Sequence, residues 1–227
     1  MKSKILNGLE TLHLDQSANK AVILLHGYGA NMHDLFPLHS YLQPSNIKID
    51  WFFPDAPLEI PLSPFYSGKA WFPIEVGRFQ NALVDKNYNS LMNHVPDGLD
   101  TARTLLHNFM QPLLEKYNQV ILGGFSQGSM LALDYMYYYN APIKALSLLS
   151  TSFINKTKWQ SSSFVKMSIF QSHGLQDEVL PFEIAEKIHD HLTHQNHKVD
   201  FFPFRGGHEI PLPIIEKLKT FISLQLQ

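Results

Sequence analysis

The chain has 227 residues, 44% of them apolar and 17% charged, with 18 basic against 20 acidic side chains and a formal net charge of −2. That balance offers no electrostatic footprint for nucleic acid, and 227 residues suit one sizeable α/β domain, so 1–227 is expected to be a single domain. Cysteine is absent, which excludes a disulfide framework, a thiol nucleophile, S-acylation and any thiolate metal site.

The start carries two lysines but no apolar stretch behind them, and no apolar run approaches the length of a bilayer span. The expectation is a cytoplasmic protein without a stable membrane anchor. Residues 9–14 alternate apolar and polar and read as an edge strand; 20–25 form a continuous β-branched and leucine run, the mark of a strand buried on both faces. A turn with two glycines follows at His26-Gly27-Tyr28-Gly29. Residues 31–43 have helical spacing and end at Pro44, and 49–53 form the next strand.

Residues 54–96 are rich in proline and aromatics, among them Trp71 and Phe72. A connection of that length is uncommon in a compact domain unless it serves as a lid or a binding wall. The alternative is a peripheral subdomain with its own small aromatic core. Asp97 opens a helix towards Lys116, which Pro112 kinks or ends early. Residues 119–123 are a short buried strand, followed by Gly124-Phe125-Ser126-Gln127-Gly128 and an apolar helix. Strands at 143–149, 167–171 and 198–202, a polar stretch at 150–163, and helices at 182–194 and 213–225 complete the chain. Strands alternate with helices throughout, so an α/β fold is expected, with a mostly parallel central sheet and helices on both faces.

A serine centred in Gly-x-Ser-x-Gly between strand and helix sits at a sharp corner with its Oγ pushed outward, beside the amides and positive dipole end of the helix. It needs a base, and the base needs an acid partner. Asp177 follows the strand at 167–171 and His208 the strand at 198–202, both in Gly-bearing loops at strand C-termini, where open α/β sheets place their sites. Ser126, Asp177 and His208 occur in the chain order of the α/β-hydrolase fold, and the oxyanion donors expected there are the backbone amides of Tyr28 and Gln127. Glu178 is one residue on from Asp177 and points elsewhere. His189, His191, His194 and His197 look clustered but lack a third ligand at metal spacing, so a solvated helix end is expected there and no metal.

The motifs LLHGYG at 24–29, FPDAP at 53–57, GGFSQGSM at 123–130, HGLQDEVLP at 173–181 and GHEI at 207–210 together resemble the phospholipase/carboxylesterase family of α/β-hydrolases, which includes the acyl-protein thioesterases. The resemblance implies a cofactor-free serine esterase or thioesterase with Ser126, Asp177 and His208 as its triad and an oxyanion hole at Tyr28 and Gln127. Its substrates would be small esters, acyl-lipids or acylated proteins. Three departures stand out: Tyr28 where the family usually has leucine, Pro73 where an aspartate usually follows Trp-Phe, and Thr151 where Leu-Ser is usually followed by glycine. The last two touch the substrate side, where Trp71 and Phe72 are expected to line an acyl site. A homodimer is compatible with a hydrophobic lid. The rival from another class is a non-catalytic acyl-chain binder on the same fold, but a pure binder needs none of the three triad residues.

Overall fold

The computed structural model describes residues 2–156 and 165–227, apart from the side chains of Val76, Arg78 and Phe79. Most of the polar stretch expected at 150–163 therefore lies outside the described residues. The frame is an eight-stranded sheet in the order β1-β2-β4-β3-β7-β8-β9-β10. Its strands are β1 (Lys4–Leu6), β2 (Leu9–Leu14), β3 (Lys20–Leu25), β4 (Asp50–Pro54), β7 (Gln119–Phe125), β8 (Ala145–Leu149), β9 (Ser168–Gly174) and β10 (Lys198–Phe204). From β4 through β10 every neighbouring pair is parallel, while β2 runs antiparallel to both β1 and β4.

The edge is β1 and not β2, a correction to the expectation for 9–14. The two strands turn through Asn7 (φ 48°) and Gly8 (φ 93°), with Leu6 facing Leu9. Asn-Gly at positive φ is the favoured two-residue hairpin turn.

β3 shows how the sheet is sandwiched. Ala21, Ile23 and Leu25 pack into a core with α5 (Leu99–Lys116) and α6 (Gln127–Tyr139). Val22 and Leu24 point to the opposite core, closed by α1 (Met32–Leu35) and α8 (Leu212–Gln225). The expected helix over 31–43 is two short ones, α1 and α2 (Leu38–Leu42), because Pro37 interrupts it and serves as the N-cap of the second. α5 begins two residues later than expected and continues through Pro112 to Lys116.

Residues 54–96 carry the hairpin of β5 (Leu58–Ser63) and β6 (Tyr66–Ala70), then α3 (Val76–Val84) and α4 (Tyr88–Asn93). The hairpin is pinned to the loop after β3. Gly29 N–H donates to Lys69 O at 2.8 Å and Lys69 N–H to Ala30 O at 2.7 Å. A Cβ at Gly68 would stand 2.0 Å from Gly29 O, so only glycine permits that approach.

Candidate active site

β7 delivers Ser126 to the C-terminal edge of the sheet at φ 53°, ψ −120°, a conformation that costs a non-glycine residue roughly 1–3 kcal/mol and clusters at functional sites. The surroundings hold it there. Ser126 N–H donates to Leu149 O at 2.9 Å, and its carbonyl accepts from Ser129 N, Met130 N and Ser129 Oγ within 3.1 Å. A Cβ at Gly128 would meet Leu25 O at 2.2 Å, which explains why the helix can start so close to β3. α6, 13 residues long, then presents its N-terminus to the serine.

Asp177 and His208 follow neighbouring strands, β9 and β10, and their loops are laced together. Leu175 N–H donates to Phe204 O, Gln176 N–H to Gly206 O, and Gly206 N–H to the Gln176 side-chain oxygen, all within 2.9 Å. The result is His208 Nδ1 at 2.7 Å from Asp177 Oδ2. The other carboxylate oxygen accepts the N–H groups of Val179 and Leu180 at 2.9 and 2.8 Å. Burial pushes the Asp177 carboxyl up, but the hydrogen bonds from His208 and Leu180 outweigh it and hold the group below the ordinary carboxylate range. Glu178 is exposed.

Ser126 and His208 line one cleft of about 310 Å³ together with Tyr28, Gly29, Tyr66 and Phe125. The Phe125 ring lies 4.7 Å from the His208 ring and supports its back. Tyr66 and Phe125 went unassigned in the sequence, because only the folded hairpin brings Tyr66 to this cleft.

β9 runs to Gly174, so His173 is a strand residue, fully buried, with Nε2 at 2.7 Å from Leu180 O and 3.4 Å from Asp177 Oδ2.

The loop after β3 is fixed from several sides. His26 Nδ1 meets Gly27 O at 2.8 Å, Ala56 N–H donates to His26 Nε2 at 3.1 Å, and the Trp71 indole N–H donates to His26 O at 2.9 Å. Within this loop Gly29 and Ala30 spend their N–H groups on Lys69 O and Gly27 O. The N–H groups of Tyr28 and Gln127 have no protein acceptor among the described residues. Tyr28 lines the cleft, and Gln127 directly follows Ser126 at the start of α6.

Trp71 and Phe72 are placed differently from each other. Trp71 is 1% exposed and packs in the main core behind the loop. Phe72 lines an apolar cavity with Leu91, Met130, Phe153 and Ile154, bordered by Glu75 and His94. The two residues are held by the buried Gln127 side chain, which accepts from Trp71 N–H at 2.9 Å and donates to Phe72 O at 2.7 Å.

His191 and His197 correct the solvated-end expectation, while His194 is exposed as expected. His197 is buried, and His191 packs edge-on against Phe153 with ring centroids 5.2 Å apart. Burial pushes the His191 imidazole down to about 4, aided by the charge of Lys156. Among the described residues the cluster with ligand-like spacing is His13, Asp15 and Asp50. Asp50 is already taken up there: Oδ1 accepts from the Gln16 and Ala18 N–H groups and Oδ2 from the Tyr117 hydroxyl.

A family model described as Phospholipase/Carboxylesterase matches residues 7–226. Acyl-protein thioesterase 1 of Eremothecium gossypii is 28% identical over 222 residues, covering 93% of this chain and 90% of that protein. Acyl-protein thioesterase 1 of Saccharomyces cerevisiae is 29% identical over 234 residues, covering 97% and 99%. Among solved structures, esterase PE8 superposes with a TM-score of 0.79 at 25% identity over the whole of both chains. Acyl-protein thioesterase 2 of Zea mays shares the fold, with a TM-score of 0.72 at 19% identity over 96% of this chain and 99% of that one. With the match spanning nearly its whole length, the chain belongs to the phospholipase/carboxylesterase family of α/β-hydrolases.

Proposed function

We propose that the protein is a serine hydrolase that cleaves carboxylic esters or thioesters through an acyl-Ser126 intermediate. The observation that carries the reading is a strained, helix-capping Ser126 in one cleft with His208, whose far nitrogen is 2.7 Å from the buried Asp177.

In this reading Ser126 Oγ attacks the carbonyl carbon while His208 Nε2 takes its proton. Asp177 keeps the remaining proton on Nδ1 and stabilises the imidazolium. The carbonyl oxygen gains charge as the tetrahedral intermediate forms and accepts from the Tyr28 and Gln127 amides. Collapse breaks the bond to the leaving oxygen or sulfur, which receives the proton from His208. Water then attacks the acyl-serine with the same base, and the carboxylic acid leaves. No step calls for a cofactor or a metal.

The apolar cavity beside Phe72 takes the acyl chain, with 54–96 acting as its wall, and the Trp71 ring backs the oxyanion loop. The names of the relatives support an acylated protein or an acyl-lipid as substrate, with small esters as surrogates. No helix among the described residues is long and apolar enough to cross a membrane.

The test is labelling by a fluorophosphonate probe, compared between the wild type and Ser126→Ala, with turnover of matched oxyesters, acyl thioesters and lysophospholipids. Labelling and turnover that vanish together in Ser126→Ala are expected. Unlabelled wild type that still binds acyl chains would give the site to a non-catalytic binder.

A further inference from the structure

Asp134 is the one charged residue on α6 and is fully buried. A carboxylate taken out of water is costly unless it is paired and hydrogen-bonded. Its Oδ2 accepts from Arg103 Nε of α5 at 2.7 Å, and Arg103 is itself 2% exposed. Buried ion pairs of this kind add little stability over apolar residues of the same volume, and the ester chemistry makes no use of this one. The other carboxylate oxygen suggests its purpose: Oδ1 accepts from Asn155 Nδ2 at 3.4 Å.

Asn155 is buried and sits at φ 58°, a left-handed conformation that asparagine tolerates better than most residues. Its backbone N–H donates to His94 O at 2.9 Å. Asn155 therefore ties together α6, the loop after β8 and the segment between α4 and α5. Those same three segments build the apolar cavity. Met130 comes from α6, Phe153 and Ile154 from the loop, and His94 and Pro96 from the third segment. Ser126, Met130 and Asp134 recur every four residues and so share one face of the helix. At about 1.5 Å per residue, Asp134 anchors that wall roughly 12 Å along the axis from the serine.

We propose that Asn155, held by Asp134, is a positioning residue that sets the shape of the acyl cavity and with it the chain-length preference of the enzyme. This rests on the hydrolase reading of the site. Losing the tie lets the 152–155 loop move relative to α6 and to His94, so distal methylenes lose their contacts while the reacting carbonyl does not. Each buried methylene is worth about a factor of four in binding. Two or three left without contacts lower kcat/KM by roughly fifteen- to sixtyfold.

The test uses the full chain with p-nitrophenyl acetate and p-nitrophenyl octanoate, and two variants. Asn155→Gly keeps the left-handed backbone and the N–H to His94 but removes the amide. Asn155→Asp keeps volume and conformational tolerance but cannot donate to Asp134 when ionised. For both variants kcat/KM on octanoate is expected to fall at least tenfold, mainly through KM, with acetate turnover and fluorophosphonate labelling within about twofold of wild type. A loss equal for the two esters, or no loss for either, overturns the positioning role and leaves the hydrolase reading standing. A wild type that neither labels at Ser126 nor turns over either ester overturns the hydrolase reading itself, and the positioning role with it.

Discussion

Truncating Gln127 separates what its side chain does from what its backbone does. The carboxamide is fully buried and bridges Trp71 N–H and Phe72 C=O at 2.9 and 2.7 Å. Gln127→Ala leaves both backbone groups buried without partners, at about 1–3 kcal/mol each. The expected destabilisation is therefore about 2–6 kcal/mol. At about 2–4 °C per kcal/mol for a chain of this size, a mid-range loss of about 4 kcal/mol lowers Tm by about 8–16 °C. Urea unfolding followed by tryptophan emission reads the change, since Trp51 and Trp71 are both buried. The backbone N–H survives the substitution, so kcat on an acetyl ester should fall by less than about tenfold at temperatures where the variant is folded. Gln127→Glu sharpens the point. It keeps the acceptor for Trp71 but loses the donor to Phe72 O and buries a charge, so it should be less stable than Gln127→Ala at pH 8 and recover as the solution is acidified. If Gln127→Ala loses less than about 1 kcal/mol, the bridge does not hold the 71–72 segment and this reasoning fails.

Asp177→Asn should cost about 10⁴ in kcat, by the logic of a wrong imidazole tautomer, while exposed Glu178→Gln stays within about twofold; the reverse ranking would move the acid. Tyr28→Leu keeps its amide and should change kcat by less than about tenfold, whereas Tyr28→Pro removes the donor and should cost on the order of 10²–10³, scored only if the variant melts cooperatively. His191 should make the fold acid-sensitive: burial pushes it from 6.5 to about 4, so between those values the unfolded chain binds a proton the native state refuses, and stability falls as pH drops through that window. The full shift sets a ceiling of about 3 kcal/mol, and its partial exposure cuts this to roughly 1–2 kcal/mol; equilibrium unfolding at pH 7 and pH 4.5 should show that difference shrink in His191→Phe, and an unchanged pH dependence would refute it.

Much of the frame was legible because its signals are local. A β-branched run, a glycine-bearing turn and an apolar helix in succession specify β7, the corner and α6 without reference to the rest of the chain. The ends of elements were less so. The strand expected at 198–202 runs on to Phe204 despite Pro203, because β10 is an edge strand with a paired neighbour on one side only and an edge tolerates a missing N–H. β1 was missed although Asn7-Gly8 spelled its turn, since three residues are too few for a periodicity to register. His191 and His197 looked solvated because nothing in their own segment reveals that Phe153 and Tyr137 pack against them.

The site divides along the same line. Ser126, Asp177 and His208 could be proposed from chain order and loop chemistry. What brings the last two loops together was not visible there: a Cβ at Gly174 would lie 2.2 Å from Gly207 O, so the loops carrying Asp177 and His208 touch backbone to backbone. Trp71 and Phe72 illustrate a limit of another kind. Trp71 and Phe72 sit in a bend just after β6, where neither strand nor helix periodicity says which way each ring points. Composition marks the segment as aromatic without saying which ring faces inward. The choice is made by Gln127, whose side chain grips the peptide groups on either side of the Trp71–Phe72 link and sends one ring behind the loop after β3 and the other to the cavity. The residue after the serine thus has a side chain that orients the wall beside the cleft, a task separable from the backbone donor role proposed for its N–H.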